Sequence, residues 1–179
     1  DGGDAGGATA SCTGMAITAD GNLDLDAKSV LVTGTVGLNG AALPALTDSR
    51  GSVYFENKES GDRVSVDLGT SGPGQYAVRI PPGKYDVGYE ASYSGCDTTG
   101  WPMPCNDGVV LKDVELSSDG ALDVNVPAVH VQGTVGINGQ TMPSATSDRG
   151  SLEFSLQSGD SASTISFGAT GGARYQITL

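Results

Sequence analysis

VTGTVGLNG, residues 32 to 40, returns as VQGTVGING, residues 131 to 139. The offset of 99 that separates Gly34 from Gly133 then holds along most of the chain. Asp20-Gly21 recurs as Asp119-Gly120, Leu23-Asp24 as Leu122-Asp123, Pro44 as Pro143 and Arg50-Gly51-Ser52 as Arg149-Gly150-Ser151. Phe55, Gly69 and Tyr76 recur as Phe154, Gly168 and Tyr175. A fixed period kept over so many positions marks a repeated structural unit. Within the quoted stretch Val32 and Val36 share a parity with Val30, and Thr33 and Thr35 take the other. That is a strand with one buried face; Gly34 allows a bulge or a close backbone approach, and Asn39-Gly40 supplies a turn.

The same alternation runs outward in both directions. AITADGNLDLDA, residues 16 to 27, reads as a hairpin about an Asp-Gly turn, and VELSSDGALDVNVPA, residues 114 to 128, is its copy. SVYFENK turns Val53 and Phe55 inward and Tyr54 and Glu56 outward, and RVSVDL turns Val64, Val66 and Leu68 inward. QYAVRI aligns Tyr76, Val78 and Ile80, and KYDVGYEA aligns Tyr85, Val87 and Tyr89. With 28 glycines and no runs of good helix formers, the expectation is an all-β chain of about seven strands per 99-residue repeat, with turns spaced as in a β-sandwich. The division that follows is a flexible leader (1–11), an extra N-terminal hairpin (12–27) equivalent to 111–126, a complete sandwich (28–127) and a partial second one (128–179). Leu179 aligns with Ile80, so the second copy lacks counterparts of later strands. Either the array continues in a longer chain, or a neighbouring molecule supplies strands through a head-to-tail contact.

The order GTVGLNG, a Pro-containing loop, GSVYF, VSVDLG, GQYAVRIPPGKYDVGYEA and a last strand LDVNV resembles carboxypeptidase regulatory-like, or transthyretin-like, β-sandwich modules. Tyr76 to Val87 is the most specific part of the match. The resemblance implies tandem Ig-like/transthyretin-like sandwiches. The Gly-rich, repeat-bearing style is similar to that of large surface proteins of myxobacteria-like bacteria, in which such modules serve as stalks, adhesive arms or shell components.

Chemistry is sparse. The net charge of −12 opposes binding to nucleic acid or anionic membranes, and no apolar run reaches the ~20 residues of a membrane span. DGGDAGGATA is similar to the spacers that follow the lipid-bearing cysteine of bacterial lipoproteins, which would place a lipid anchor upstream. Cys96 and Cys105 bracket a Gly- and Pro-containing loop whose ends can meet, so a disulfide is expected there, and with it an oxidising compartment. Cys12 stays free or pairs with another chain. Trp101 and Met103 sit in that loop, either as a ligand contact for sugar or protein or folded back as a cap on the sandwich. Asp20, Asp24 and Asp26 are the acidic set that could hold calcium, against the plainer reading of a solvated face; DGNLDLD lacks the spacing of an EF-hand loop. His130 is the only histidine and lies in a strand pattern, so neither a zinc site nor a nucleophile–base pair is expected.

The reading is therefore a non-enzymatic extracellular protein of a bacterial cell surface, a stalk, adhesive arm or self-assembling fibre without cofactors. Its expected partners are further copies of itself or other surface proteins. The alternative is a carbohydrate- or protein-binding module working through the loop around Trp101.

Overall fold

The structure, a computed structural model, describes residues 22, 26–92, 96, 100–155 and 162–179. β1 (Val30–Leu38) buries Val30, Val32 and Val36, and the Asn39-Gly40 turn reverses it into β2 (Ala41–Ala42). Both turn residues have positive φ, 51° and 79°, which a two-residue hairpin loop requires and Asn-Gly tolerates. β3 (Ser52–Asn57) and β4 (Arg63–Asp67) form an antiparallel ribbon, and β5 (Gln75–Ile80) returns along β1. β6 (Gly83–Glu90) pairs with β3, and β7 (Gly108–Leu116) pairs with β6. β8 (Gly120–Ala121) and β9 (Val124–Val126) run parallel to β1 on the edge that β5 leaves open.

Two sheets result, one built on β2, β1 and β5 with β8 and β9, the other in the order β4-β3-β6-β7. Their inner faces meet in one core: Val32, Val36, Tyr76, Ile80, Val124 and Val126 from the first, Val53, Phe55, Tyr85, Val87 and Tyr89 from the second. Full burial of side chains of this size stabilises by about 1.5–3 kcal/mol each. This layered all-β arrangement is the expected fold class.

The second unit repeats the opening of the first. β10 (His130–Thr134) pairs with β15 (Arg174–Thr178), β11 (Gly136–Ile137) with β12 (Gln140–Thr141), and β13 (Ser151–Ser155) with β14 (Ala162–Ser166). Registers coincide at the 99-residue offset: Val32 faces Val78 as Val131 faces Ile177, and Val53 faces Val66 as Leu152 faces Ile165. Phe55 and Tyr76 tilt together at 5.6 Å, Phe154 and Tyr175 at 5.8 Å. Among the described residues, however, nothing pairs with the outer edges of β10 and β13. Val131, Phe154 and Ile165 are accordingly only half buried, where Val32 and Phe55 are at 1% and 0% exposure.

One expectation needs correction. The 111–126 stretch is not a hairpin: β7 stays with β6 in one sheet, while β8 and β9 cross to the other and run parallel to β1. Period-two alternation identifies a strand but not its partner. Tyr54 faces outward as expected, and is nonetheless buried, because its ring lies over Gly88 and the Arg63 guanidinium stacks 3.6 Å above it. The hairpin expected over residues 12–27, with Cys12, lies outside the described residues but for Asn22, Asp26 and Ala27.

Candidate functional site

Each unit carries a turn organised by an arginine. Arg50, at 1% exposure, donates to the carbonyls of Leu68, Gly69, Ser71, Gly72 and Pro44. Arg149 does the same to Phe167, Gly168, Thr170, Gly171, Pro143 and Met142, so the cage recurs at the 99-residue offset. Gly51 and Gly150, next in sequence, have φ of 91° and 104°, which explains the fixed Arg-Gly pair. Burial lowers the Arg50 pKa while the Asp67 carboxylate opposes this, and an arginine so placed stays charged.

The loop after β6 is the contact between the units. The expected disulfide joins Cys96 to Cys105 across a Cα separation of 5.5 Å. Behind it Trp101, Met103 and Cys105 enter the core at 7%, 0% and 2% exposure, together with Ile177 of β15. Of the two readings of Trp101 and Met103, the structure has the folded-back one: both side chains are buried, with Thr178 and His130 of the second unit beside the Trp101 residue. The Cys105 N–H donates to the Thr178 carbonyl at 2.8 Å, and the Ser163 hydroxyl donates to the Cys105 carbonyl. The Thr178 hydroxyl donates to the Trp101 carbonyl at 2.6 Å. That proton being committed, His130 Nδ1, 3.3 Å from the same hydroxyl, can act only as the donor. Tyr89 ties the loop to the first unit, its hydroxyl 2.9 Å from the Arg50 carbonyl and 3.3 Å from that of Pro104. Between β15, β10 and β14 a cleft of about 1330 Å³ stays open, with Cys96, Cys105, Ser163, Ile165 and Tyr175 among its lining.

The remaining site is an edge. In the first unit residues 119–126 seal β1 through a set of polar contacts. Asp119 accepts from the Leu31 N–H at 2.8 Å, and Asp123 accepts from both the N–H and the hydroxyl of Thr35 at 2.8 Å. Leu122 donates to the Thr33 carbonyl and accepts from the Tyr76 hydroxyl; Asn125 accepts from the Gly40 N–H. The Thr35 backbone, then its hydroxyl, holds the Asp123 carboxyl below its ordinary pKa. Burial, with the Asp123 charge second, pushes the Tyr76 phenol up to about 12, so it stays a donor. Sequence reasoning saw Asp24 and Asp26 as a wet face and missed that their counterparts Asp123 and Asn125 are strand-sealing acceptors. The recurrence of Asp20 and Asp24 as Asp119 and Asp123 was the available signal.

For the acidic set proposed for calcium, Asp26 is exposed, and Asp20 and Asp24 lie outside the described residues. Among the described residues no group of three His, Cys, Asp or Glu side chains is placed to hold a metal, and no helix is long and apolar enough to cross a membrane.

No family model matches the chain, and no curated protein does. Among solved structures it is similar to a DUF3823 family protein from Parabacteroides merdae ATCC 43184, with 15% identity, 86% of this chain and 81% of that one covered, and a TM-score of 0.38. It is also similar to the Bacillus anthracis TIE protein, at 12% identity and a TM-score of 0.27, with 84% of this chain and 27% of that one covered.

Proposed function

We propose that this chain is a non-catalytic structural element of an extracellular bacterial surface assembly, a stalk or self-associating arm made of transthyretin-like sandwiches set end to end. One observation carries the reading: the disulfide loop of the first unit lies against the second, with Cys105 bonded to both β14 and β15. Such a contact fixes the angle between successive units, which a load-bearing rod needs and a pair of independent binding modules does not. The disulfide belongs to an oxidising compartment. The arginine cages support the reading too, since they spend each unit's most strongly hydrogen-bonding side chain on loop geometry.

Small-angle scattering of the purified chain, with and without Cys96→Ser/Cys105→Ser, tests it. The expected result is a single elongated particle whose shape distribution broadens in the variant. A shape distribution as broad in the native chain as in the variant would sink the rod reading.

A further inference from the structure

We propose that the outer edge of β10 and β11 is an acceptor for residues 20–27 of a second copy of this chain; this deepens the self-association reading above and rests on it. The ladder shows which groups the edge presents. Val129 and Leu179 exchange both backbone hydrogen bonds, and the Val135 N–H donates to Ala173, so the odd-numbered residues of β10 face β15. The N–H and C=O groups of His130, Gln132 and Thr134 therefore point to the other side, as those of Leu31, Thr33 and Thr35 do in the first unit. There they meet residues 119–126. Beside β10, among the described residues, they meet no strand.

The missing cover is legible in apolar residues as well. Leu38 is half buried beside its strand partner Val126, whereas Ile137, at the equivalent place, is 49% exposed. Val36 is at 1% exposure beneath Val124, and its counterpart Val135 is only half buried. An exposed edge that carries apolar side chains is a template for an added strand.

Residues 20–27, DGNLDLDA, match residues 119–126, DGALDVNV, at each contact that matters. Asp20 stands for Asp119 opposite the His130 N–H, and Asp24 for Asp123 opposite the N–H and hydroxyl of Thr134. Leu23 stands for Leu122, between the Gln132 carbonyl and the Tyr175 hydroxyl, and Asp26 offers Gly139 the oxygen that Asn125 offers Gly40. Leu25 fills the place of Val124; Ala27, smaller than Val126, is the one weaker contact. A strand seated this way runs parallel to β10 and leaves Ala27 beside Asn138. From there only three residues, about 11 Å of chain at most, lead to Val30. Yet His130, the near end of β10, lies with Asn39 and Trp101 past the far end of β1, and β1 itself spans about 26 Å. That length separates Val30 from the start of β10, and the chain's own β1 is already sealed by residues 119–126. Residues 20–27 of another copy are therefore the donor proposed, and the contact, being head-to-tail, links copies in series.

The test uses two variants of the full chain in sedimentation velocity. Asp20→Ala/Asp24→Ala disables the donor by removing both of its strand-sealing carboxylates. Thr134→Pro disables the acceptor; its N–H faces away from β15, so the β10–β15 ladder tolerates proline as an edge strand does. The unaltered chain is expected to form a concentration-dependent series of species, and each variant alone to associate at least about tenfold more weakly. An equimolar mixture of the two is expected to stop at a one-to-one complex, since it holds one live donor and one live acceptor per pair. Association unchanged by both variants overturns the strand donor and leaves the stalk reading standing. A chain that is monomeric at every concentration overturns it too, and if Thr134→Pro also lowers the melting temperature of that monomer, the groove is filled from within the chain.

Discussion

Removing the same side chain from the two arginine cages should cost very different amounts. Arg50→Ala deletes a guanidinium that satisfies five carbonyl groups, of which that of Leu68 is buried away from solvent. A buried polar group left without its partner costs about 1–3 kcal/mol, while the carbonyls of Ser71 and Gly72, at the rim, can turn to water. Adding the packing lost with a residue at 1% exposure, the expected loss is about 3–5 kcal/mol. Arg149 makes the same bonds, but most of them lie in contact with solvent, so Arg149→Ala should cost about 1 kcal/mol. At about 4–8 °C per kcal/mol for a domain of this size, the first variant should melt roughly 12–40 °C lower and the second within about 8 °C of the parent. Hydrogen exchange read separately on β1–β9 and β10–β15, alongside a thermal melt, assigns each loss to its unit. Equal losses from the two variants, or an Arg50→Ala loss below about 1 kcal/mol, would refute the argument that burial sets the cost.

Three further outcomes are expected. In Gly34→Ala the new Cβ would lie 2.0 Å from the Leu122 carbonyl, a backbone atom, whereas in Gly133→Ala it would meet the tip of Tyr175 at 2.5 Å, which can swing aside. Chemical denaturation should show about 2–3 kcal/mol lost in the first and under about 1 in the second. Opening the Cys96–Cys105 link, nine residues apart, should cost about 2–3 kcal/mol by loop entropy. Exchange should quicken at the Cys105 amide, which is bonded to Thr178. Asp123, its pKa depressed by Thr35, contributes stability that is complete above the ordinary carboxyl pKa of about 4 and lost as pH falls through the depressed value. An acid titration followed by circular dichroism should lose that component in Asp123→Asn, which keeps the acceptor oxygen but cannot titrate.

Where a property depends on one strand, the sequence carries it. Val30, Val32 and Val36 on one parity, Tyr76, Val78 and Ile80 on another strand, and Asn39-Gly40 between strands all sit where alternation and turn chemistry put them. The disulfide was legible because its two ends flank a short flexible loop. What depends on two distant segments was not. Alternation marks Leu122 to Val126 as a strand yet says nothing of which sheet receives it, and a hairpin is the shorter guess. Trp101 reads as either a ligand contact or a cap until β10 and β15 are placed beside it. For Arg50, nothing local shows that five carbonyls converge on it. In that case the recurrence of Arg-Gly-Ser was a signal of position without a signal of role.

Residue-resolved amide exchange at Thr134, taken at high and low protein concentration with Thr35 as the internal reference, bears most directly on the acceptor edge. Thr35 donates to Asp123 within its own chain and should be protected at both concentrations. The account predicts a Thr134 amide protected in the concentrated protein and released on dilution. A Thr134 amide that exchanges freely at every concentration, or that stays protected on dilution, would contradict it.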